Sequence, residues 1–261
     1  MSTEPFPETA DVETSSDDYA TRFAGPAGCW MLEVQQRLTL GLLARFAGAA
    51  VLDVGGGHGQ IARPLCAAGH PVTVLGSDAS CRHRVADLID SGACRFDVGN
   101  VVALPYPDKS FDVVVSFRLL THCERWPRLV SELCRVARRA VVVDYPTSQS
   151  INAIAPALFG AKKRIEKNTR TWRLFRHAEV REAFDRCGYA LAAQCNQFFL
   201  PMVLHRALGR RGLCVAMEAV PRALGLTAAF GSPVIVRMEP NRRLRPVSTP
   251  AHQPCRAPSV A

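Results

Sequence analysis

A glycine-rich turn between a short apolar run and a helical pattern is the part of this sequence best suited to binding a ligand. Asp53 is followed at alternate positions by Gly55, Gly57 and Gly59. Glycines accept positive φ angles and let a ligand approach the backbone closely. The dinucleotide pattern G-x-G-x-x-G, begun at the first of these glycines, needs a small residue where Gln60 stands. The better description is Asp-x-Gly-x-Gly-x-Gly.

A second carboxylate follows the next apolar run. Asp78 comes 19 positions after Gly59, and a carboxylate at this place in an α/β protein accepts hydrogen bonds from ribose hydroxyls. The alternative role is a helix N-cap, since a helical pattern follows. Ser80 is also suited to that cap, which leaves Asp78 for the ligand.

Two further side chains suit acceptor chemistry, and both follow the fourth apolar run. His122 is a candidate general base, because an imidazole with an ordinary pKa near 6.5 takes a proton from a phenol or hydroxyl. The alternative is a histidine hydrogen-bonded within its own helix. Arg118 is a candidate for orienting an acidic acceptor, against the alternative of a solvated surface arginine.

These residues need a scaffold, and the apolar pattern supplies one. A helix is predicted over 28–46, and further helices end near Ala68 and cover 81–90, 128–138 and 177–187. Between them lie seven predicted strands, over 51–54, 72–76, 94–98, 112–116, 140–143, 189–194 and 233–238. Strands that alternate with helices predict an α/β, doubly wound, mostly parallel seven-stranded sheet. Ligands of such sheets bind beyond the carboxyl ends of the strands.

With these elements in order, the stretch 51–144 resembles the class I S-adenosylmethionine-dependent methyltransferases, which have a Rossmann-like fold. It is most similar to the group that includes ubiquinone- and menaquinone-biosynthesis methyltransferases. The resemblance rests on the glycine turn and on three later blocks, which are Ala103-Leu104-Pro105-Tyr106-Pro107-Asp108, Phe111-Asp112-Val-Val-Val-Ser116 and Leu120-Thr-His122 through Glu132-Leu-Cys-Arg135-Val136.

The resemblance implies S-adenosylmethionine as the cofactor and a role for each matching residue. Asp53 and the three glycines face its methionine end, Asp78 holds its ribose, and Ser116 lies beside its methionine portion. The family's adenine-binding Asp is replaced here by Asn100, with Asp97 nearby, and the backbone N–H of Val101 meets the adenine ring. No metal site is predicted, because no pair of cysteines has the C-x-x-C spacing of a zinc ribbon.

The composition fits one globular domain with two tails. The chain has 261 residues, 48% of them apolar, and a net charge of +9. We predict a disordered acidic tail over 1–18, a methyltransferase domain over 19–239 and a Pro- and Arg-rich disordered tail over 240–261. Two insertions, at 145–176 and 198–231, are predicted to form a helical lid. The first carries a basic run from Lys162 to Arg176, suited to an acidic acceptor or a membrane surface.

Several function classes lose support at this stage. The Pro-Pro-Tyr box of nitrogen methylation is absent, which argues against nucleic acid as substrate. No secretory signal and no membrane-spanning run is visible, so a cytoplasmic protein with peripheral membrane contact is expected. The prediction is methyl transfer to oxygen or carbon of a small or lipid-like, acidic acceptor. A nucleotide-cofactor oxidoreductase and a non-catalytic binding protein stay open as alternatives.

Overall fold

A computed structural model describes residues 6–151 and 172–241. Its centre is one seven-stranded sheet, with strands β1 Val51–Val54, β2 Val72–Gly76, β3 Cys94–Val98, β4 Phe111–Ser116, β5 Ala137–Tyr145, β6 Tyr189–Asn196 and β7 Val234–Pro240. The first three agree with the predicted bounds. β5 extends the prediction at both ends, because it begins directly where the preceding helix stops.

The strand order is β3-β2-β1-β4-β5-β7-β6. Pairs among the first five strands are parallel, whereas β7 runs antiparallel to both β5 and β6. The order reverses direction between β1 and β4, so their carboxyl ends open a crevice of the kind in which doubly wound sheets bind ligands. The predicted Rossmann-like, mostly parallel seven-stranded fold is confirmed.

Ten α-helices flank the sheet in the described residues. They are α1 Ala10–Thr14, α2 Asp17–Thr21, α3 Gly25–Leu43, α4 Ala62–Ala67, α5 Ala86–Asp90, α6 Trp126–Val136, α7 His177–Arg186, α8 Met202–Leu208, α9 Arg211–Ala223 and α10 Leu226–Phe230. Short 3-10 helices cover Ala44–Phe46, Gly56–His58, Ala79–Val85 and Leu120–His122. The helix predicted over 81–90 is therefore divided equally between the tighter 3-10 form, up to Val85, and an α-helix, from Ala86.

The core lies on both faces of the sheet, as expected for parallel strands that alternate sides. Leu52, Val54 and Val114 pack with the side chains of α6 and α7. Val51 and Val113 face the opposite layer, with α3 and α4. Burial of both faces holds the carboxyl ends of the strands in fixed positions, and the candidate site depends on those positions.

The N-terminal segment differs from its prediction as a disordered tail. This segment contains α1 and α2, and its acids have partners across the fold. Glu8 accepts the backbone N–H of Arg125 at 2.8 Å, and Asp17 pairs with Arg84 at 2.6 Å. Composition alone missed these partners because they lie far away in sequence. The domain therefore begins before residue 19.

The structure describes one of the two predicted lid segments fully and the other only in part. The insertion at 198–231 forms α8, α9 and α10, so its helical character is as expected. Most of the basic run at 162–176 lies outside the described residues, as does the C-terminal tail after Asn241. Among the described helices, none is long and apolar enough to cross a bilayer.

Candidate functional site

The glycine turn joins β1 to the edge of the crevice. Gly55 and Gly59 have φ angles of 74° and 69°, a region that costs glycine little. Gly57 is constrained for a different reason, because there is no space for a side chain at this position. A Cβ there would collide with the backbone oxygen of Cys81 and with the Ser15 hydroxyl. The glycines at 55, 57 and 59 thus form one tight loop, as the sequence predicts.

Asp53 lies beneath this loop and is fully buried. Neither of its carboxylate oxygens has a hydrogen-bond partner among the described residues. Burial without a partner raises the pKa of Asp53 to about 7, because desolvation penalises the charged form. An unpaired buried carboxylate beside this crevice marks a place where a cationic group would be stabilised.

Asp78 follows β2 at the same edge, and it caps the helix that Ser80 was expected to cap. Its Oδ1 accepts the backbone N–H of Ser80 at 2.8 Å. Hydrogen bonds from the hydroxyl and the N–H of Ser80 lower the pKa of Asp78. The carboxylate is exposed at the mouth of the crevice. Asp78 is therefore the N-cap of this helix. It has the second role as well, that of a ligand-binding carboxylate, only if its other oxygen meets the ligand.

Asn100 and Val101 form the loop after β3. The side-chain oxygen of Asn100 accepts the backbone N–H of Val102 at 3.0 Å, which closes a local turn. Val101 is buried. Nearby Asp97 accepts a hydrogen bond from the Tyr106 hydroxyl at 2.6 Å. The oxygen predicted to accept from an adenine amino group is thus already engaged in the turn, although it has a second lone pair.

Ser116 ends β4 and is fully buried. Its hydroxyl donates to the backbone oxygen of Val54 at 2.9 Å, so it ties the end of β4 to the start of the glycine loop. Sequence reasoning placed Ser116 beside the ligand but missed this interstrand bond.

Helix α1 covers the loop, which the sequence did not predict. The carboxylate of Asp11 is completely buried and accepts hydrogen bonds from the hydroxyl and the backbone N–H of Ser77, the latter at 2.6 Å. Its Cβ lies 3.4 Å from the place a Cβ on Gly55 would take. A ligand at the loop therefore contacts or displaces α1. The sequence held one signal for this region: Ser16 precedes two acids and caps α2 by accepting from Tyr19 N–H.

Arg118 is not a solvated surface arginine, because only 10% of its side chain is exposed. Its φ is 64°, an uncommon angle for a residue with a side chain. This conformation lets its N–H donate to Asp144 Oδ1 at 2.6 Å, while its guanidinium donates to Gln35 Oε1 and stacks over Phe23 with 4.9 Å to the ring centre. The Nε lies 3.7 Å from Asp144 Oδ2 and makes no hydrogen bond with any described residue.

The charge of Arg118 acts on its neighbours. Burial raises the pKa of Asp144, and the Arg118 guanidinium and N–H oppose that rise. His58 lies in the glycine loop, and burial first and the Arg118 charge second lower the pKa of its imidazole to about 3. His58 is therefore neutral, and the guanidinium is within electrostatic reach of the loop. Sequence reasoning did not single out Gln35, Asp144 or His58.

His122 ends the 3-10 helix after Arg118 and is half-buried. The adjacent Thr121 exchanges two hydrogen bonds with Arg173: its hydroxyl donates to the Arg173 carbonyl at 2.7 Å, and its carbonyl accepts the Arg173 N–H at 3.1 Å. The described end of the first insertion thus lies against the loop that carries His122. Among the described residues, no cluster of three His, Cys, Asp or Glu side chains is arranged to hold a metal.

The sheet order, the glycine loop after β1 and the acids after β1 and β2 are the features expected of a class I S-adenosylmethionine-dependent methyltransferase. Residues 52–143 match the family model described as a methyltransferase domain. Together with the relatives described below, this match supports a class I S-adenosylmethionine-dependent methyltransferase whose cofactor is S-adenosylmethionine.

Comparisons with individual proteins agree. A malonyl-[acyl-carrier protein] O-methyltransferase from Pectobacterium atrosepticum is 28% identical over 200 residues, which are 74% of this chain and 77% of that relative. A fatty-acid O-methyltransferase from Mycolicibacterium smegmatis is 33% identical over 99 residues, 35% of this chain and 34% of its own length. The crystal structure of magnesium protoporphyrin IX methyltransferase from Synechocystis superposes with a TM-score of 0.59 at 13% identity, covering 87% of this chain and 97% of that one.

Proposed function

We propose that the chain transfers the methyl group of S-adenosylmethionine to a carboxylate oxygen of a small or lipid-like acceptor. The observation that carries the proposal is Arg118. Its side chain lies at the carboxyl end of β4 with only 10% of its surface exposed, and its buried Nε has no hydrogen-bond partner in the described residues. A buried donor without a partner calls for a ligand, and a guanidinium matches a carboxylate well.

The relatives support this choice of acceptor. Two of them are named as O-methyltransferases, of malonyl-[acyl-carrier protein] and of fatty acids. A malonyl group and a fatty acid both end in a carboxylate, and each is carried on a larger or apolar body. The strained backbone at Arg118 supports a functional role too, because such conformations cost about 1–3 kcal/mol and cluster at functional sites.

The residues at the crevice fit the cofactor. The loop of Gly55, Gly57 and Gly59 would admit its methionine end above Asp53, whose two unpartnered oxygens favour a positive charge there. The exposed carboxylate of Asp78 would hold the ribose hydroxyls, and the cofactor would meet Asn100, Val101 and Ser116 as the resemblance implies.

The chemistry asks little of the protein beyond alignment. When bound, the cofactor supplies a methyl group activated on a sulfonium. A carboxylate acceptor is already ionised at neutral pH, so no base has to remove a proton. Arg118 would hold one acceptor oxygen and leave the other directed toward the glycine loop, since an in-line displacement depends on orientation.

The buried state of Asp53 predicts how cofactor affinity depends on pH. A cation bound over the loop stabilises the ionised carboxylate, so its pKa falls from about 7 on binding. Binding then releases a proton, and affinity rises with pH. We expect affinity for S-adenosylmethionine to be about tenfold weaker at about pH 6 than at about pH 8. Isothermal titration calorimetry in buffers of different ionisation enthalpy measures both the affinity and the number of protons released on binding.

Asp53→Asn is the control for that prediction. The variant should bind more weakly and lose the protein's share of the pH dependence, leaving only the ligand's own titration. In the folded, cofactor-free protein the raised pKa also means that stability falls as pH rises from the unfolded value of 3.8 toward about 7. Asp53→Asn should therefore have a higher Tm than the wild type at alkaline pH. An unchanged pH profile in the variant would place the titrating group elsewhere.

The acceptor is tested by the chemistry of the product. The protein is incubated with methyl-labelled cofactor and either a malonyl thioester of pantetheine or a free fatty acid. A carboxyl methyl ester releases labelled, volatile methanol in mild alkali, whereas methyl ethers and C-methyl products do not. Alkali-labile label that depends on the acceptor supports the proposal. Transfer that yields only alkali-stable label would instead favour a hydroxyl or carbon acceptor.

Substitution of His122 distinguishes a carboxylate acceptor from a hydroxyl acceptor by a second, independent measurement. With a carboxylate acceptor we expect His122→Ala to keep turnover within about threefold of wild type, because no proton is removed. With a phenol or hydroxyl acceptor, the same variant should lose about 10²–10⁴ in turnover and its acid limb in the pH–rate profile. Cofactor affinity, measured alongside, should be unchanged in both cases.

The remaining predictions about partners and location concern surfaces. We infer peripheral contact with a membrane, as expected of an enzyme with a lipid-like acceptor. The basic run that first suggested it lies mostly outside the described residues, so its role stays a prediction, as does the expectation that nucleic acid is not a substrate.

A further inference from the structure

Helix α9 exposes its apolar side chains and buries a polar one. Leu213, Met217, Val220 and Leu224 recur at helical spacing from the first turn of α9 to its end, and Val220 and Leu224 are 64% and 69% exposed. The fully buried side chains of the helix are Cys214 and Glu218. A surface helix of a globular protein has the opposite arrangement, with its apolar stripe toward the core.

The orientation of α9 is fixed by the buried Glu218. Its carboxylate accepts the backbone N–H groups of Phe199 and Leu200, at 3.0 and 2.8 Å, and its Oε1 lies 3.0 Å from Nε2 of His205. The His205 ring in turn packs against Trp30 and Phe198. The helix cannot roll its apolar stripe inward without breaking these bonds and leaving a carboxylate unpaired. The hydrogen bonds of Glu218 therefore hold the apolar stripe in its exposed position.

The exposed charges of the segment that carries the stripe have one sign. Between residues 199 and 231 the sequence contains four arginines and a single acid, the buried Glu218. Arg210 and Arg211 stand at the beginning of α9 and Arg222 near its end, and all three are exposed. Arg211 pairs with Glu33 of α3. An apolar stripe with cations at both ends has the composition of a helix that lies in the headgroup region of a membrane.

We propose that α9 docks this face on an anionic phospholipid surface, with the stripe in the headgroup region, Arg210 beside it on a lipid phosphate, and the other exposed arginines of the segment adding long-range attraction. A second copy of the chain fits less well. An antiparallel pairing of two such helices would set the arginines at one end against those at the other, and like charges repel.

The location of α9 connects docking with the site. The segment from β6 to β7 leaves the sheet at the end of β6 and returns at the start of β7, which pairs antiparallel with β5. It therefore stands at the carboxyl edge, where Arg118 and Asp144 lie. The benefit to a lipid-like acceptor rests on the proposed function, whereas docking itself does not.

The experiment is co-sedimentation with vesicles of phosphatidylcholine, with and without phosphatidylglycerol. The wild type should bind the anionic vesicles at low salt and be released at high salt. Arg210→Glu with Arg222→Glu should weaken binding by at least about thirtyfold, and Leu213→Gln with Val220→Gln should also weaken it, at either salt level. Arg37→Glu with Arg95→Glu, the same charge change on exposed residues elsewhere, is the matched control and should have a much smaller effect.

Four results would overturn the proposal. The first is a wild type that ignores anionic vesicles at low salt. The second is a control pair that weakens binding as much as the α9 arginines. The third is a dimer by light scattering that Leu213→Gln with Val220→Gln dissociates. The fourth is a Tm several degrees lower in that glutamine variant, which would mean that the chain covers its own stripe. Methyl transfer to a soluble thioester, assayed in the same samples, reports separately on the proposed function.

Discussion

Gly57→Ala should greatly weaken binding of the cofactor. The added Cβ would overlap the backbone oxygen of Cys81 and the Ser15 hydroxyl. A backbone atom in the 3-10 helix after β2 cannot swing aside as the end of a flexible side chain does, so the glycine loop must move. We expect a loss of about a hundredfold in affinity for S-adenosylmethionine, equivalent to about 2.8 kcal/mol, measured by calorimetry. Overpacking should also lower stability by about 1–3 kcal/mol.

The matched control is Gly41→Ala. Gly41 is an exposed position of α3, and a Cβ there would meet nothing within 4 Å. The same chemical change should leave cofactor affinity intact and stabilise the protein by about 0.5–1 kcal/mol, because alanine favours a helix over glycine. If Gly57→Ala bound the cofactor as well as Gly41→Ala does, the cofactor would not lie against this loop.

Arg118→Met should abolish methyl transfer to a carboxylate acceptor while sparing the cofactor. Methionine keeps much of the side-chain volume but removes the charge and every donor. We expect kcat/KM for the acceptor to fall about a thousandfold, since truncating a buried charged partner costs about 2–5 kcal/mol. Affinity for S-adenosylmethionine, measured separately, should change by no more than about threefold, because the glycine loop and Asp78 are untouched.

The same substitution should destabilise the fold, which a second substitution can separate from the loss of activity. Removing the guanidinium leaves Asp144 buried without its charged partner, a change that costs about 3–5 kcal/mol. Asp144→Asn added to Arg118→Met removes the unpaired charge and should recover part of the lost free energy of unfolding. It should recover none of the methyl transfer.

Arg139→Met serves as the matched control for Arg118. Arg139 also stacks on a phenylalanine, with 4.8 Å from its guanidinium carbon to the ring centre of Phe46, but it is exposed. Its loss should leave methyl transfer near the wild-type rate. If Arg118→Met with Asp144→Asn were stable and fully active on a carboxylate acceptor, Arg118 would be a structural residue only.

Some parts of the candidate site are formed by residues that are close together in the sequence, and others by residues that are far apart. The loop of Gly55, Gly57 and Gly59 is contiguous in sequence, and its geometry follows from glycines between a strand and a helix, so its pattern alone predicts it. Asp78 was placed correctly after β2, but its role as the N-cap was assigned to Ser80. Both residues satisfy the same local rule, and only the backbone geometry chooses between them.

The interpretation of Arg118 as a solvated arginine was wrong for a different reason. Its burial depends on Gln35, 83 positions earlier, and on Asp144, 26 positions later. Neither partner belongs to a motif, and no pattern near Arg118 reveals either of them. The acidic N-terminal segment was misread in the same way, because Asp11 finds its donors at Ser77, 66 positions away.

The sequence by itself determined the layered fold, the succession of strands and helices along the chain and the cofactor loop. These depend on hydrophobic periodicity and on glycines, which act over a few residues. The tertiary structure alone decided which polar groups are buried together: Asp11 over the glycine loop, Arg118 against Asp144, and Glu218 beneath an outward-facing apolar helix. Burial is a property of the whole packed chain, so the environment that sets the charge and the partners of these groups exists only after the sheet and its helices have assembled.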